Sequence, residues 1–161
     1  MKVNRFSRKR VLAVSSSGGH LAELLRLRPA YAEHDITFVV ATPKGYLNAY
    51  DSNDVNGGKI ITILDANRWD KVGLIQMLFQ LIRIFIQVRP DVVISTGAAS
   101  GFFGLFIGKL LGAKTVWVDS IANAEELSMS GQLAGKYADL WLTQWPHLSS
   151  SLGPIYKGDV L

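Results

Sequence analysis

The chain has 161 residues, which is the usual size of one domain and enough to build a hydrophobic core. With 48% hydrophobic and 19% charged residues, it is too apolar for an intrinsically disordered protein. It contains no cysteine, which excludes a disulfide scaffold, a thiolate zinc site and a cysteine nucleophile.

The net charge of +4 is concentrated at the amino terminus. We expect residues 1–10 to form a basic tail, which either binds an anionic membrane surface or acts only as a solubilising terminus. A nucleic-acid partner is not expected, because the rest of the chain lacks a basic stripe. Five of the 17 basic residues lie in this tail: Lys2, Arg5, Arg8, Lys9 and Arg10.

The remainder, residues 11–161, alternates short apolar runs with helical periods, which predicts one α/β domain. Strands that are apolar without alternation are typical of a parallel sheet covered on both faces, so we expect a Rossmann-like fold. Helices are predicted from Leu21 onwards, over 72–88 and over 102–111, and an irregular stretch over 42–58. Strands are predicted over 11–15, 36–41, 59–64, 91–95 and 114–118, with a possible sixth over 140–143.

A turn rich in serine and glycine follows the first predicted strand. Ser17, Gly18 and Gly19 would let the backbone approach a phosphate or diphosphate at the amino terminus of the next helix. The turn is neither the dinucleotide fingerprint nor a P-loop, so a dehydrogenase is disfavoured. A purely structural tight turn remains equally compatible with these residues.

His20 enters the helix directly after this turn, and it either takes a proton from a sugar hydroxyl, contacts a diphosphate or only caps the helix. Thr96 and Gly97 follow the fourth strand, and Asp119 and Ser120 follow the fifth. The carboxyl ends of parallel strands meet at one edge of a sheet, so these residues predict a shared crevice. Asp119 is a second candidate base there, or a helix cap. The three scattered histidines have no metal-ligand spacing, and neither a metal nor a cofactor is expected.

The helix predicted over 72–88 is apolar except for one polar stripe of Gln76, Gln80, Arg83 and Gln87. At about 1.5 Å per residue, its length of about 26 Å falls short of a bilayer core. It either packs on the sheet as a core helix or lies in a membrane interface, and both hold if its two sides differ.

Taken together, these motifs resemble the smaller, non-donor-binding subunit of the two-component oligosaccharide-biosynthesis glycosyltransferases, in its bacterial capsule and exopolysaccharide form. The resemblance covers nearly the whole chain. It rests on five segments in order: Ser16 to His20, Ser95 to Gly97, Asp119 with Ser120, Leu127 to Gly131, and Ala138 to Trp145.

The resemblance implies the amino-terminal, acceptor-side half of a split GT-B enzyme at the cytoplasmic face of a membrane. It implies a separate donor-binding chain as partner, a UDP-sugar donor and a polyprenyl-diphosphate-linked acceptor. The sugar could be N-acetylglucosamine, glucuronic acid or galactose. The residues implied are His20 and Asp119 as catalytic, and Gln144 and Trp145 as partner contacts. Those implied for substrate or diphosphate are Ser17, Gly18, Gly19, Thr96, Gly97, Ser120, Ser128 and Ser130.

Two departures from the family pattern bear on this expectation. Family members usually carry a glutamate at the position of Asp119 and an arginine where this chain has Asn123. Loss of that guanidinium removes a potential phosphate ligand. Two alternatives to a catalytic subunit therefore stay open: a non-catalytic membrane adaptor that recruits the donor-binding subunit, and a stand-alone nucleotide-binding protein.

Overall fold

The computed structural model describes residues 7–44 and 58–160, and these form one seven-stranded sheet flanked by helices. All neighbouring strands are parallel, in the order β3-β2-β1-β4-β5-β6-β7. The first six follow the Rossmann strand order, which confirms the predicted fold class. The strands are β1 (Arg10–Ser16), β2 (Asp35–Thr42), β3 (Lys59–Leu64), β4 (Val92–Ser95), β5 (Lys114–Val118), β6 (Leu140–Thr143) and β7 (Ile155–Tyr156).

Four α-helices connect the strands, and they cover the two faces of the sheet unequally. On one face α2, α3 and α4 lie side by side, while the other face is covered by α1. The helices are α1 (Gly19–Arg26), α2 (Lys71–Val88), α3 (Ala98–Leu110) and α4 (Met129–Ala134).

Each face has its own apolar core, because alternate side chains of the central strands point to opposite sides. Leu12 and Val14 of β1 pack with Leu81 and Phe85 of α2. Val11 and Ala13 of the same strand pack on the other face in the core that includes α1. The strands are therefore buried on both sides, as their continuous apolar sequence indicates.

The structure adjusts several predicted boundaries. Arg10, assigned from the sequence to the tail, is the first residue of β1, and its guanidinium pairs with Asp91 at 3.0 Å. The helix predicted over 102–111 begins four residues earlier, at Ala98. The prediction did not include α4 and β7, because six and two residues are too few to show a periodicity. Most of the irregular stretch over 42–58, namely residues 45–57, lies outside the described residues, as do positions 1–6 of the tail.

Candidate functional site

The first turn of α1 lies at the carboxyl edge of the sheet, directly after β1. Gly18 precedes it with φ of 87°, a conformation that favours glycine, and no side chain caps this turn. The first N–H groups of a helix lack partners within it, and here the first turn also lacks an acidic residue. Gly18 and Gly19 are exposed, with open space where a Cβ would lie. This turn is therefore suited to an anionic group.

His20 is held at this edge by two hydrogen bonds to the end of β4. Its Nδ1 lies 3.1 Å from the carbonyl oxygen of Thr96, and the Thr96 hydroxyl donates to the His20 carbonyl at 2.6 Å. Since a carbonyl oxygen can only accept, Nδ1 carries the proton, and Nε2 of the neutral ring keeps its lone pair. A Cβ on Gly97 would overlap the imidazole, so the ring requires glycine there.

The loop after β4 carries backbone strain next to His20. Ala98 has φ of 67°, although it is not a glycine, and Gly97 has φ of 150°. The Ser95 hydroxyl accepts a hydrogen bond from the Gly97 N–H at 3.2 Å, which helps to hold this conformation. Strained residues concentrate at functional sites because the surrounding structure must over-determine them.

Asp65 follows β3 at the same edge and was not singled out from the sequence. Burial raises its pKa above the usual range, and a positive charge on His20 acts in the opposite direction. Both residues follow strands at this edge of the sheet, with β2 between β3 and β1. The sequence pattern did not place Asp65 near His20, because the two residues are 45 positions apart and β2 and β3 lie between them in the chain. Within the described ranges, no three His, Asp or Glu side chains form a metal-binding group.

Asp119 is buried, at 1% exposure, and its carboxylate is bonded within the protein. It accepts from the Trp117 indole at 3.0 Å, and from the Ser128 N–H at 2.9 Å and hydroxyl at 2.5 Å. The Ser128 hydroxyl in turn accepts from the Gly131 N–H at 2.8 Å and so caps α4. In this structure Asp119 and Ser128 close the loop between β5 and α4 instead of facing a ligand.

Glu23 of α1 is the second buried acid of this region. Its carboxylate accepts from the Ser120 hydroxyl at 2.8 Å and from the Gln144 amide at 3.2 Å. Gln144 also donates to the Asp119 carbonyl and accepts from the Val160 N–H. Buried polar groups require such partners, so this network ties α1 to the ends of β5 and β6.

The structure therefore separates the residues that the sequence analysis grouped. Ser17, Gly18, Gly19 and His20 share the opening of α1. Thr96 and Ser120 are buried, and their hydroxyls donate within the protein, to the His20 carbonyl and to the Glu23 carboxylate. The Gln144 side chain is buried as well. The half-buried Trp145 donates to the Ile121 carbonyl, and the half-buried Ser130 lies in the first turn of α4.

A family comparison decides where the chain belongs. The family model described as "Oligosaccharide biosynthesis protein Alg14 like" matches residues 66–158, which is more than half of the chain. The chain belongs to this family. The match includes β4, β5 and β6, with Ser120 and Gln144 at the ends of β5 and β6, and α1 with His20 and Glu23 precedes it.

Curated relatives extend the similarity of this Alg14-like chain over its amino-terminal part. The "UDP-N-acetylglucosamine transferase subunit alg14" of Schizosaccharomyces pombe is 27% identical over 171 residues, covering 88% of this chain and 78% of that protein. The Homo sapiens protein of the same description is 26% identical over 186 residues, covering 94% and 82%.

Solved structures show the same fold in longer chains. MurG from Acinetobacter baumannii superposes with a TM-score of 0.72 at 17% identity, over 92% of this chain and 45% of that chain. A UDP-N-acetylglucosamine 2-epimerase from Rickettsia bellii gives 0.64 at 12% identity, over 96% and 46%. The Alg14-like chain thus spans less than half of these proteins, and its Rossmann-like fold corresponds to that part of them.

Proposed function

We propose that this chain is the acceptor-side subunit of a two-chain inverting glycosyltransferase. It would act with a donor-binding chain that transfers a sugar from UDP-N-acetylglucosamine to a polyprenyl-diphosphate-linked sugar. The observation that carries this proposal is the anchored imidazole of His20 beside the open turn of α1. The named relatives are subunits of a UDP-N-acetylglucosamine transferase, which supports the donor and the need for a second chain.

The proposed reaction is one displacement at the anomeric carbon of the donor. The acceptor hydroxyl oxygen forms the new bond to that carbon, while the bond to the UDP oxygen breaks and UDP leaves with the electron pair. The hydroxyl proton passes to Nε2 of His20, whose Nδ1–H stays on the Thr96 carbonyl. An ionised Asp65, which follows β3 at the same edge of the sheet, would stabilise the imidazolium that results.

The acceptor diphosphate would lie at the amino terminus of α1. The exposed backbone at Gly18 and Gly19 admits an anion there, and Ser17 is half-buried next to it. Phosphate is favoured at such a site by unpaired N–H groups and by the positive end of the helix dipole. Asn123 follows Ser120 in the loop after β5, and its amide carries no charge for the phosphate.

The donor-binding chain would cover the apolar part of the sheet that α1 leaves open. A cavity of about 340 Å³ lies there, between the 3₁₀ turn that follows α1 and the strands β4, β5 and β6. Val116, Leu140 and Leu142 line it, and Leu140 is exposed. A parallel sheet is normally covered on both faces, so this face suits a subunit contact. We therefore propose this face as the partner surface, in place of the buried Gln144. The half-buried Trp145 follows β6, one of the strands of this face.

Membrane contact would come from α2, at the cytoplasmic face. Of the described helices, α2 alone is long and apolar enough to cross a bilayer, but its buried stripe packs on the sheet. Its solvent-facing apolar stripe, formed by Val72, Ile75, Phe79, Ile82 and Ile86, would lie in the interface plane instead. The bacterial capsule and exopolysaccharide assignment stays a prediction, since the relatives described above come from fission yeast and human.

A binding and transfer assay tests this function. We expect the purified chain alone to bind no UDP-N-acetylglucosamine in calorimetry and to transfer no sugar. Together with its donor-binding partner, it should glycosylate a polyprenyl-diphosphate-linked acceptor. Leu140→Glu should abolish complex formation, while Leu152→Glu, on an exposed loop away from the cavity, should not.

Two outcomes contradict the proposal. Tight UDP-sugar binding by the isolated chain would make it a stand-alone nucleotide-binding protein. Full transfer by the donor-binding chain alone would leave this chain with the role of a membrane adaptor.

A further inference from the structure

A second cavity lies at the opposite edge of the sheet, where β1 and β4 begin. It has a volume of about 680 Å³ and lies between the end of α2, the end of α3 and the segment before β1. Three basic side chains and one acid line it: Lys9, Arg10, Arg89 and Asp91. This cavity is at the far end of the strands from His20, so it is separate from the proposed transfer site.

The single acid of this cavity is already paired. The Asp91 carboxylate accepts from the Arg10 N–H at 2.9 Å, from Nε at 3.2 Å and from Nη2 at 3.0 Å. These hydrogen bonds lower the pKa of Asp91 to about 2, so it is ionised and its charge is matched by Arg10. Lys9 and Arg89 form no ion pair in the described part of the chain, and they leave the cavity with two surplus positive charges.

The backbone holds Arg89 at this place in a strained conformation. Arg89 is the C-cap residue of α2, with φ of 48° and ψ of 61°. Its N–H donates to the Phe85 carbonyl at 2.9 Å. Helices commonly end in this left-handed conformation with glycine, for which it costs nothing. Arginine in place of glycine therefore costs backbone strain and puts a positive charge at the cavity. This strain is an observation separate from the number of charged side chains.

The rim of the cavity is apolar and exposed. Ile86 of α2 is 64% exposed and Leu111, after α3, is 65% exposed, and both line the cavity. Ile86 is also the last member of the solvent-facing apolar stripe of α2. A ligand that fits needs an anionic group for the cations and an apolar part for the rim. A free phosphate has only the first of these.

We propose that this cavity binds the phosphate of an anionic membrane lipid, with Lys9 and Arg89 on the phosphate oxygens and Ile86 and Leu111 against the start of the acyl chains. The site would hold the Alg14-like chain on an anionic leaflet in a fixed orientation. It rests on the membrane contact of the proposed function, but it does not depend on the transfer reaction.

Vesicle flotation of the full chain tests the site. The vesicles contain either phosphatidylcholine alone or phosphatidylcholine with phosphatidic acid. Arg89→Gly should weaken binding to the anionic vesicles roughly fivefold and leave binding to neutral vesicles unchanged. This variant suits the left-handed conformation, so it should fold at least as well as the parent chain. Lys9→Gln should behave in the same way.

Lys157→Gln is the matched control. It removes an exposed charge that follows β7, the outermost strand of the sheet, and that does not line the cavity. It should bind both vesicle types as the parent chain does. Parent-like binding of Arg89→Gly to anionic vesicles would overturn the proposal. So would competition by millimolar inorganic phosphate, because the site would then recognise phosphate without lipid.

Failure of this site can be distinguished from failure of the proposed function. Phe79→Gln, in the middle of the apolar stripe, tests membrane contact itself through binding to neutral vesicles. Sugar transfer measured on a short-chain acceptor in detergent tests the reaction without a bilayer. Only the lipid-phosphate site would be rejected if Phe79→Gln weakens binding to neutral vesicles, the complex transfers sugar in detergent, and Arg89→Gly has no effect.

Discussion

At the scale of single residues, the site depends on how a few side chains are held. His20 acquires its geometry from Thr96, which lies 76 positions away and bonds to both its ring and its carbonyl group. Gly97 leaves room for the ring. Imidazole is a weak base in water. Here the His20 ring is oriented as a proton acceptor, because Nδ1 is held by a hydrogen bond and Nε2 stays free.

Asp119 provides a prediction at this scale. Asp119→Asn replaces an acceptor of three hydrogen bonds by an amide, so it should destabilise the fold by about 2 kcal/mol. For a domain of this size, the melting temperature should fall by roughly 4–8 °C. Turnover per folded complex should stay close to that of the parent, because the carboxylate is buried and hydrogen-bonded within the protein.

Asp159→Asn is the control, since it removes an exposed carboxylate near the end of the described chain. Calorimetry and a transfer assay on the same preparations separate the two roles. An unchanged melting temperature with a hundredfold lower turnover would show that Asp119 acts in the chemistry.

The residues of this region also show where sequence reasoning stops. The turn from Ser17 to His20 could be assigned to an anion site, because a glycine-rich strand-to-helix turn has local consequences. Burial of Ser120 and Gln144 could not be foreseen. It depends on Glu23, which lies 97 and 121 positions from them along the chain. Spacing along one strand or helix reports local faces but not such long-range polar partners.

At the scale of elements, α2 has three different faces. A buried stripe of Met77, Leu81 and Phe85 packs on the sheet, and the polar stripe predicted from the sequence lies beside β3. Gln80 of that stripe accepts from the Leu64 N–H at the open edge of the sheet. The third stripe is apolar and exposed, at steps of three and four residues: Val72, Ile75, Phe79, Ile82 and Ile86. The structure therefore shows a core helix with a further apolar face, which confirms packing on the sheet, while the membrane contact of the exposed face stays a prediction.

The exposed stripe gives a prediction for the element. Phe79 is 64% exposed, so Phe79→Gln should leave the melting temperature unchanged. It should weaken binding to neutral vesicles roughly tenfold to a hundredfold, because an inserted phenylalanine side chain contributes about 1.5–3 kcal/mol.

Leu152→Gln is matched to it, because this leucine is 97% exposed but lies between β6 and β7, away from α2. Flotation with phosphatidylcholine vesicles provides the measurement. Equal binding of the Phe79 variant and the parent chain would remove α2 from the membrane contact.

At the scale of the whole molecule, the fold was the most predictable part. Continuous apolar strands alternating with helices fix a parallel sheet, and the observed order places the ends of β1, β3 and β4 near one another. The sequence pattern did not reveal the uneven covering of the sheet. That depends on α1 being only eight residues long, and on the absence of a helix over β5 and β6 on this face among the described residues.

The molecule thus has separate surfaces for separate tasks in the proposed enzyme. The carboxyl edge holds His20, and the open sheet face suits a second chain. The helical face and the basic cavity at the amino edge suit a membrane.

The most direct test of this account is the turnover of the assembled two-chain complex carrying His20→Ala. If His20 takes the acceptor proton, kcat should fall by roughly 10²–10⁴ while the KM for the UDP-sugar and the assembly of the complex stay unchanged. A complex that forms normally and turns over at the parent rate would contradict the account, and this chain would then be an adaptor without chemistry of its own.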